Sequence, residues 1–232
     1  MTPTVIMAGG RGQRLHPLTE KTPKPMLTVG GKPILETVME GFAEQGFKKF
    51  WLCLGYRAEL IQRYFQDGTG RGWRVRYTVE PEPLGTAGPL SLLPEFNSPF
   101  IVGNADVLTK LSYGKLMEHH ARSNADATVC LALWQHQIPY GVAQFGEDGL
   151  LTAVQEKPIE GVPVVAGIYV LNPLVVKLIP KHTRIDMPDL LKMLDRVSGY
   201  VMEGHWQDVG RFEDLSRANG EMAPIMNERA ER

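Results

Sequence analysis

Short apolar runs alternate with amphipathic segments over the first half of the chain. Val5–Met7, Phe50–Leu54, Val75–Val79, Phe100–Val102 and Ala127–Leu133 are brief and rich in β-branched or aromatic residues, which predicts buried strands. Between them, Pro33–Gln45 sets Ile34, Leu35, Val38, Met39 and Phe42 on one helical face and stops at Gly46. Glu59–Phe65, Ala87–Leu93 and Leu116–Ser123 predict further helices. Strands alternating with helices in this way indicate a mostly parallel sheet covered by helices.

After Tyr140 the pattern changes. Val142–Phe145 and Leu151–Gln155 flank Gly146-Glu147-Asp148-Gly149 and predict a hairpin. Val164–Leu171 predicts a strand, Leu174–Ile179 and Leu190–Val197 helices, Tyr200–Glu203 an extended piece and Phe212–Met222 a closing helix. Met187, Leu190, Leu191 and Leu194 recur at helical spacing and are expected in the core, as are Trp51 and Trp134 from their strand runs. His119 and His120, at a helix end, and His136 and His182, in loops, are expected at the surface.

Charge narrows the functions open to such a fold. Among 232 residues, 25 Lys and Arg nearly balance 26 Asp and Glu, which argues against a basic nucleic-acid face or an electrostatic membrane anchor. No apolar run reaches the ~20 residues that cross a bilayer, and no basic leader precedes the first strand, so a cytoplasmic location is expected. Cys53 and Cys130 lie in apolar runs without metal-ligand spacing and are expected to be buried thiols.

The first strand leads into Ala8-Gly9-Gly10-Arg11-Gly12-Gln13-Arg14-Leu15, and Pro23-Lys24-Pro25 follows. Glycines let a backbone approach an anion closely, and successive N–H groups can cradle phosphate oxygens. Arg14 and Lys24 add full charges to that cradle, with the prolines holding Lys24 in extended backbone. The dinucleotide fingerprint fails because Leu15 stands where its third glycine belongs, and the P-loop fails for want of Lys-Ser/Thr after Gly12.

The run Gly9-Gly10-x-Gly12-x-Arg14-Leu15-x-Pro17-Leu18-Thr19 with Pro23-Lys24-Pro25 resembles the signature of sugar-1-phosphate nucleotidyltransferases. The resemblance implies a three-layer α/β/α Rossmann-like mixed sheet with a small antiparallel insertion. It implies one domain over residues 1–222, with a nucleotide-binding half (1–135), a sugar-binding half (136–210) and a flexible tail (223–232). Ala8, Gly9, Gly10, Gly12, Arg14 and Lys24 would hold the nucleotide phosphates. Glu80, Gly85, Thr86 and Gly88, from Glu80-Pro81-Glu82-Pro83-Leu84-Gly85-Thr86-Ala87-Gly88, would meet the base and ribose. Asp106 of Gly103-Asn104-Ala105-Asp106 and Asp208 of Trp206-Gln207-Asp208-Val209-Gly210 would hold Mg²⁺. Ala105 stands where relatives carry glycine.

Tyr140, Gly141, Glu156, Lys157, Val165 and Gly167 match the sugar-side positions of such enzymes, with Val165 replacing an asparagine common among relatives. Arg14, Lys24 and Lys157 would act in catalysis as charge partners of the phosphates. The implied substrates are a nucleoside triphosphate and a sugar-1-phosphate, handled by a monomer or homodimer without a second catalytic domain. In appearance the chain is most similar to glucosamine-1-phosphate guanylyltransferases of bacterial legionaminic acid synthesis. Mannose- or heptose-1-phosphate guanylyl, glucose-1-phosphate thymidylyl or uridylyl and N-acetylmuramate-1-phosphate uridylyl transfer stay open, as does a non-catalytic nucleotide-sugar sensor.

Overall fold

Val5 and Ile6 are both fully buried, in two different hydrophobic clusters on opposite faces of strand β1 (Thr4–Ala8). A strand covered on both sides must be apolar throughout, which is why the N-terminal run shows no alternation. This is seen in a computed structural model that describes residues 2–220. The remaining strands are β2 (Thr28–Val29), β3 (Lys32–Pro33), β4 (Lys49–Leu54), β5 (Arg74–Val79), β6 (Phe100–Asn104), β7 (Val107–Thr109), β8 (Ala127–Gln137), β9 (Gly141–Phe145), β10 (Leu151–Glu156), β11 (Ile159–Leu171), β12 (Val197–Val201) and β13 (Trp206–Asp208). The helices are α1 (Ile34–Glu44), α2 (Ala58–Phe65), α3 (Tyr113–Ser123), α4 (Pro173–Val176), α5 (Met187–Lys192) and α6 (212–220).

Seven strands form one sheet in the order β12-β8-β11-β6-β1-β4-β5. Strands β5, β4, β1 and β6 run parallel, β11 runs antiparallel to both β6 and β8, and β12 is parallel to β8. The sheet is therefore mixed, as expected. One face packs on α1, α2 and α3 through Leu35, Met39, Phe42, Ile61 and Leu116. The other packs on α4, α5 and the turn around Leu90. Strands β9 and β10 form the expected hairpin, which projects with the outer halves of β8 and β11 as an exposed arm.

Several local expectations change. Residues Ala87–Leu93 form a 3₁₀ turn, Gly88–Leu92, because the Ala87 and Gly88 amides both donate to the Ile185 carbonyl instead of entering an α-helical ladder. The helix expected over Leu190–Val197 starts earlier, at Met187, and ends at Lys192, since Val197 pairs with Ala127 as the start of β12. The helix expected over Leu174–Ile179 is the single turn α4. Helix α6 reaches residue 220, and the end of the expected closing helix and the tail 223–232 lie outside the described residues. Both cysteines are buried and free, their thiols pushed up to about 12 by burial. No described helix is long and apolar enough to cross a membrane.

His120 is not a surface residue: only 3% of it is exposed. It turns inward from α3 between Thr128 Oγ1, 2.8 Å from Nδ1, and Asn172 Oδ1, 3.3 Å from Nε2. The Asn172 amide donates to the Ala125 carbonyl at 2.8 Å, so its oxygen faces the imidazole and Nε2 must carry the proton of a neutral ring. Burial holds the His120 pKa below its ordinary 6.5, with the nearby His119 adding to the effect and the Asn172 hydrogen bond opposing it. The unfolded chain thus binds a proton there more readily than the folded one, and stability present above pH 6.5 is lost as pH falls below it. Melting temperature should drop between pH 7.5 and 5.5, and by less in His120→Gln. An equal drop in both proteins would assign the acid sensitivity elsewhere.

Candidate active site

Strand β1 delivers the chain to the glycine loop at the carboxyl end of the parallel strands, where open α/β sheets bind ligands. Gly12 takes a left-handed conformation (φ +64°), and a Cβ there would lie 2.8 Å from the Lys24 Cβ. The absence of a side chain lets the loop close onto the segment bearing Lys24, and the Thr19 hydroxyl ties it with a 3.0 Å bond to the Gly12 carbonyl. Lys24 opens a 3₁₀ turn, Lys24–Met26, instead of lying in extended backbone. Pro25 is tolerated because the first residues of such a turn need no N–H donor.

Two strands absent from the sequence reading bring the carboxylates together. Strands β7 and β13 pair antiparallel with Asp208 opposite Val107, and the Val209 amide donates to the Asp106 carbonyl at 2.9 Å. The Lys24 ammonium, almost fully buried, donates to Asp106 Oδ2 and lies 4.0 Å from Asp208 Oδ1. Burial, and after it the Asp106 charge, push the Asp208 pKa up, while Lys24 and Arg14 pull it down. Arg14 Nη1 would lie 3.6 Å from a Cβ on Gly210, which locates the guanidinium beside the Asp208 turn. Ala105 is buried, its amide held by the Met7 carbonyl at 3.1 Å, so the departure from glycine is absorbed by packing.

Two oxygen-donor side chains facing one cation suit a divalent metal that completes its shell with water and phosphate oxygens. No group of three or more His, Cys, Asp or Glu suited to a metal occurs among the described residues. A dedicated protein cage is therefore not what the pair offers.

Glu80 lies next to the glycine loop. Its Oε1 would sit 2.5 Å from a Cβ on either Gly9 or Gly55, and its Oε2 accepts the Leu84 amide at 2.9 Å. Burial raises its pKa and the Leu84 hydrogen bond opposes the shift. Gly55 was not expected at the site; it follows Leu54 as Gly9 follows Ala8, the last pair of the β1–β4 ladder, and the Tyr56 amide donates to the Gly9 carbonyl at 3.1 Å. Gly10 is open, with nothing within 4 Å of a built Cβ.

Gly85 and Gly88 have internal reasons to be glycine. A Cβ on Gly85 (φ +81°) would fall 2.6 Å from the Ile185 carbonyl, and one on Gly88 2.6 Å from the Thr183 carbonyl. The Thr86 amide donates to Asp186 Oδ1 at 2.9 Å, and the Thr86 hydroxyl accepts the Met187 amide at 2.7 Å. The expected base-and-ribose segment is thus clasped to residues 183–187. Gly85→Ala should lower unfolding free energy by about 2 kcal/mol, read from urea denaturation, while Gly10→Ala changes it little. Matching losses would refute the steric account.

The expected sugar-side residues fall into two groups. Val165 and Gly167 line a cavity of about 330 Å³ together with Asp208, Trp206, Trp134 and Asn104. Tyr140, Gly141, Glu156 and Lys157 instead form an exposed cluster on the arm: a Cβ on Gly141 would lie 3.0 Å from Glu156 Oε2, and the Lys157 amide donates to the Tyr140 carbonyl at 3.2 Å. Lys157 has a left-handed backbone (φ 48°), a strained choice for a lysine. Among the described residues no hydrogen bond or ion pair joins this cluster to Asp106 or Asp208. Trp134, expected in the core, is 43% exposed in the cavity wall, whereas Trp51 is half-buried with its indole N–H on Thr78 Oγ1 at 2.9 Å.

The family model for nucleotidyl transferases matches residues 3–224. The chain belongs to that family. Mannose-1-phosphate guanyltransferase of Yarrowia lipolytica is 37% identical over 222 residues, covering 91% of this chain and 61% of that protein. The mannose-1-phosphate guanylyltransferase catalytic subunit beta of Drosophila melanogaster is 34% identical, covering 92% and 61%. The chain thus spans 61% of the length of each of these two relatives. Among solved structures, HddC from Yersinia pseudotuberculosis, crystallised with GMP-PN, has a TM-score of 0.73 and 27% identity over 95% of this chain and 99% of its own. A Bacillus anthracis protein crystallised with a sucrose reaches a TM-score of 0.76 at 23% identity, over 96% and 95% of the two chains, and speaks for the fold alone. The glycine loop, Lys24 and the Asp106–Asp208 pair are therefore parts of a nucleotidyl transferase.

Proposed function

We propose that this nucleotidyl transferase joins a nucleoside triphosphate to a sugar-1-phosphate, giving a nucleoside diphosphate sugar and pyrophosphate. The observation that carries the proposal is the buried Lys24 ammonium between Asp106 and Asp208 at the mouth of the glycine loop. A sugar-phosphate oxygen attacks the α-phosphorus and the bond to the pyrophosphate oxygen breaks. The nucleophile is already ionised, so no general base is needed, and the obstacle is repulsion between two anions. Arg14 binds the leaving phosphates, Lys24 meets the charge developing at the α-phosphate, and Lys157 holds the sugar phosphate. Gly9, Gly10 and Gly12, following Ala8, supply backbone donors to the nucleotide. Catalysis on this reading is in-line positioning plus neutralisation of charge. Asp106 and Asp208 would hold Mg²⁺, which supplies further positive charge to the phosphates when bound.

Guanine is the base that the surroundings of Glu80 favour. A carboxylate offers only acceptors, and guanine presents adjacent N1–H and N2–H₂ donors, whereas uracil and thymine flank one donor with two carbonyls. Mannose-1-phosphate is favoured as the sugar substrate by the curated relatives, ahead of the glucosamine-1-phosphate suggested by local motif appearance. The decisive experiment is pyrophosphate release with Mg²⁺, crossing GTP, UTP, dTTP, CTP and ATP with mannose-, glucosamine-, glucose-, heptose- and N-acetylmuramate-1-phosphate. Turnover highest with GTP and mannose-1-phosphate supports the whole reading, and preference for glucosamine-1-phosphate overturns its sugar. Nucleotide-sugar binding without turnover points to a sensor. Lys157→Met should raise the KM for sugar phosphate by about tenfold or more and leave that for GTP within twofold; equal rises would remove Lys157 from the sugar side.

A further inference from the structure

Resting on the reading above, we infer that Asn104 and Trp134 choose the sugar ring: Trp134 offers an indole face to the ring's C–H groups, and Asn104 hydrogen-bonds its hydroxyls. Neither was singled out for this by the glycine or carboxylate motifs. The cavity beside Asp208 has the mixed character of a carbohydrate site, with apolar walls from Trp134, Val165 and Trp206 and a few polar groups at one end.

Asn104 is the last residue of β6, two positions before Asp106, so its carboxamide is fixed by the same strand that carries the carboxylate. That carboxamide has no hydrogen-bond partner among the described residues, although Asn104 is half-buried. A half-buried amide with both a donor and an acceptor unused is free to bind a hydroxyl that enters the cavity. The chain also makes room for it. Gly167 faces it with a left-handed backbone (φ +73°), and a Cβ there would lie 2.7 Å from Asn104 Nδ2. Any larger residue at 167 would push the amide out of the cavity.

Trp134 lies where β8 leaves the core. On the same face of that strand Cys130 and Ala132 are buried, whereas Trp134 is 43% exposed. Its indole N–H, like the Asn104 amide, is unpaired among the described residues, while that of Trp206 is held by the Ala166 carbonyl at 2.9 Å. One wall is therefore locked by a hydrogen bond, whereas Trp134 is held only by a ring contact with His136, 6.4 Å between centroids, and keeps its N–H for a ligand. A carboxamide both donates to and accepts from a hydroxyl, whereas an ammonium group can use only its oxygen. The pair accordingly favours a neutral hexose over an amino sugar.

The test compares the unmodified chain with Asn104→Ala, Asn104→Asp and Trp134→Phe. KM is measured for GTP and for mannose-1-phosphate, and tryptophan emission is followed during sugar-phosphate titration. Asn104→Ala should raise the KM for mannose-1-phosphate by about tenfold with that for GTP within twofold. Asn104→Asp should shift the ratio of mannose- to glucosamine-1-phosphate turnover toward the amino sugar. Trp134→Phe, a change at an exposed position, should diminish the sugar-induced change in emission, leaving the part that comes from Trp206 in the same cavity, while the melting temperature holds. An unshifted sugar KM in Asn104→Ala together with an undiminished emission change in Trp134→Phe overturns this assignment but leaves the transferase reading intact. Absence of turnover by the unmodified chain with every sugar phosphate overturns both.

Discussion

Asp208→Asn should slow pyrophosphate release by at least about 10²-fold, the scale of losing one aligned electrostatic stabiliser. The substitution keeps the shape of the side chain and removes only its charge. Partial burial and the like charge of Asp106 together raise the Asp208 pKa, so its charge is costly to the folded protein. The variant should therefore melt no lower than the unmodified chain while turning over far more slowly. That combination separates a functional carboxylate from a structural one, since loss of a structural ion pair lowers both together. Near-normal turnover at limiting Mg²⁺ would remove Asp208 from the metal site.

Lys24→Met should cost about 10²–10³-fold in kcat and leave two carboxylates facing each other without their resident cation. Lys24→Arg should not restore the rate: the lysine stem lies where a Cβ on Gly12 would touch it at 2.8 Å, and the broader guanidinium needs space that this loop closes off. A divalent ion competes with the ammonium for the same oxygens. Calorimetric titration of the nucleotide-free protein should therefore find tighter Mg²⁺ binding in Lys24→Met than in the unmodified chain. Weaker binding would mean that Lys24 organises the carboxylates instead of competing for them.

The parts of this fold legible in the sequence are those where burial imposes one period over many residues. Helix α1 is such a case, its apolar positions all pointing at the sheet. Strands β7 and β13 were not legible, because two three-residue strands carry too little pattern, yet their pairing is what joins Asp106 to Asp208 across a hundred residues. His120 and Trp134 depart from expectation for different reasons. A helix end predicts a surface histidine, but Thr128 and Asn172 satisfy the imidazole in the core. A strand run predicts a core tryptophan, but the departure of β8 from the core exposes the indole. Motif resemblance nominated the residues of the glycine loop, the carboxylates and the arm. It could not tell that Gly85 and Gly88 face residues 183–186, since that contact depends on a segment a hundred residues away.

The exposed arm has a consequence for how such a protein diversifies. Beyond Ala132 on β8 and before Val164 on β11 every residue is exposed, as is nearly all of β9 and β10. Tyr140, Gly141, Glu156 and Lys157 all belong to this stretch. Substitutions there remove little buried area and so cost little stability, whereas those around Lys24 and Asp106 disturb packed, charged ground. On the function proposed above, selection can therefore explore new acceptors on the arm while the phosphate machinery stays fixed, and a mutational library confined to residues 133–163, sparing the buried Pro158, would begin from variants that still fold.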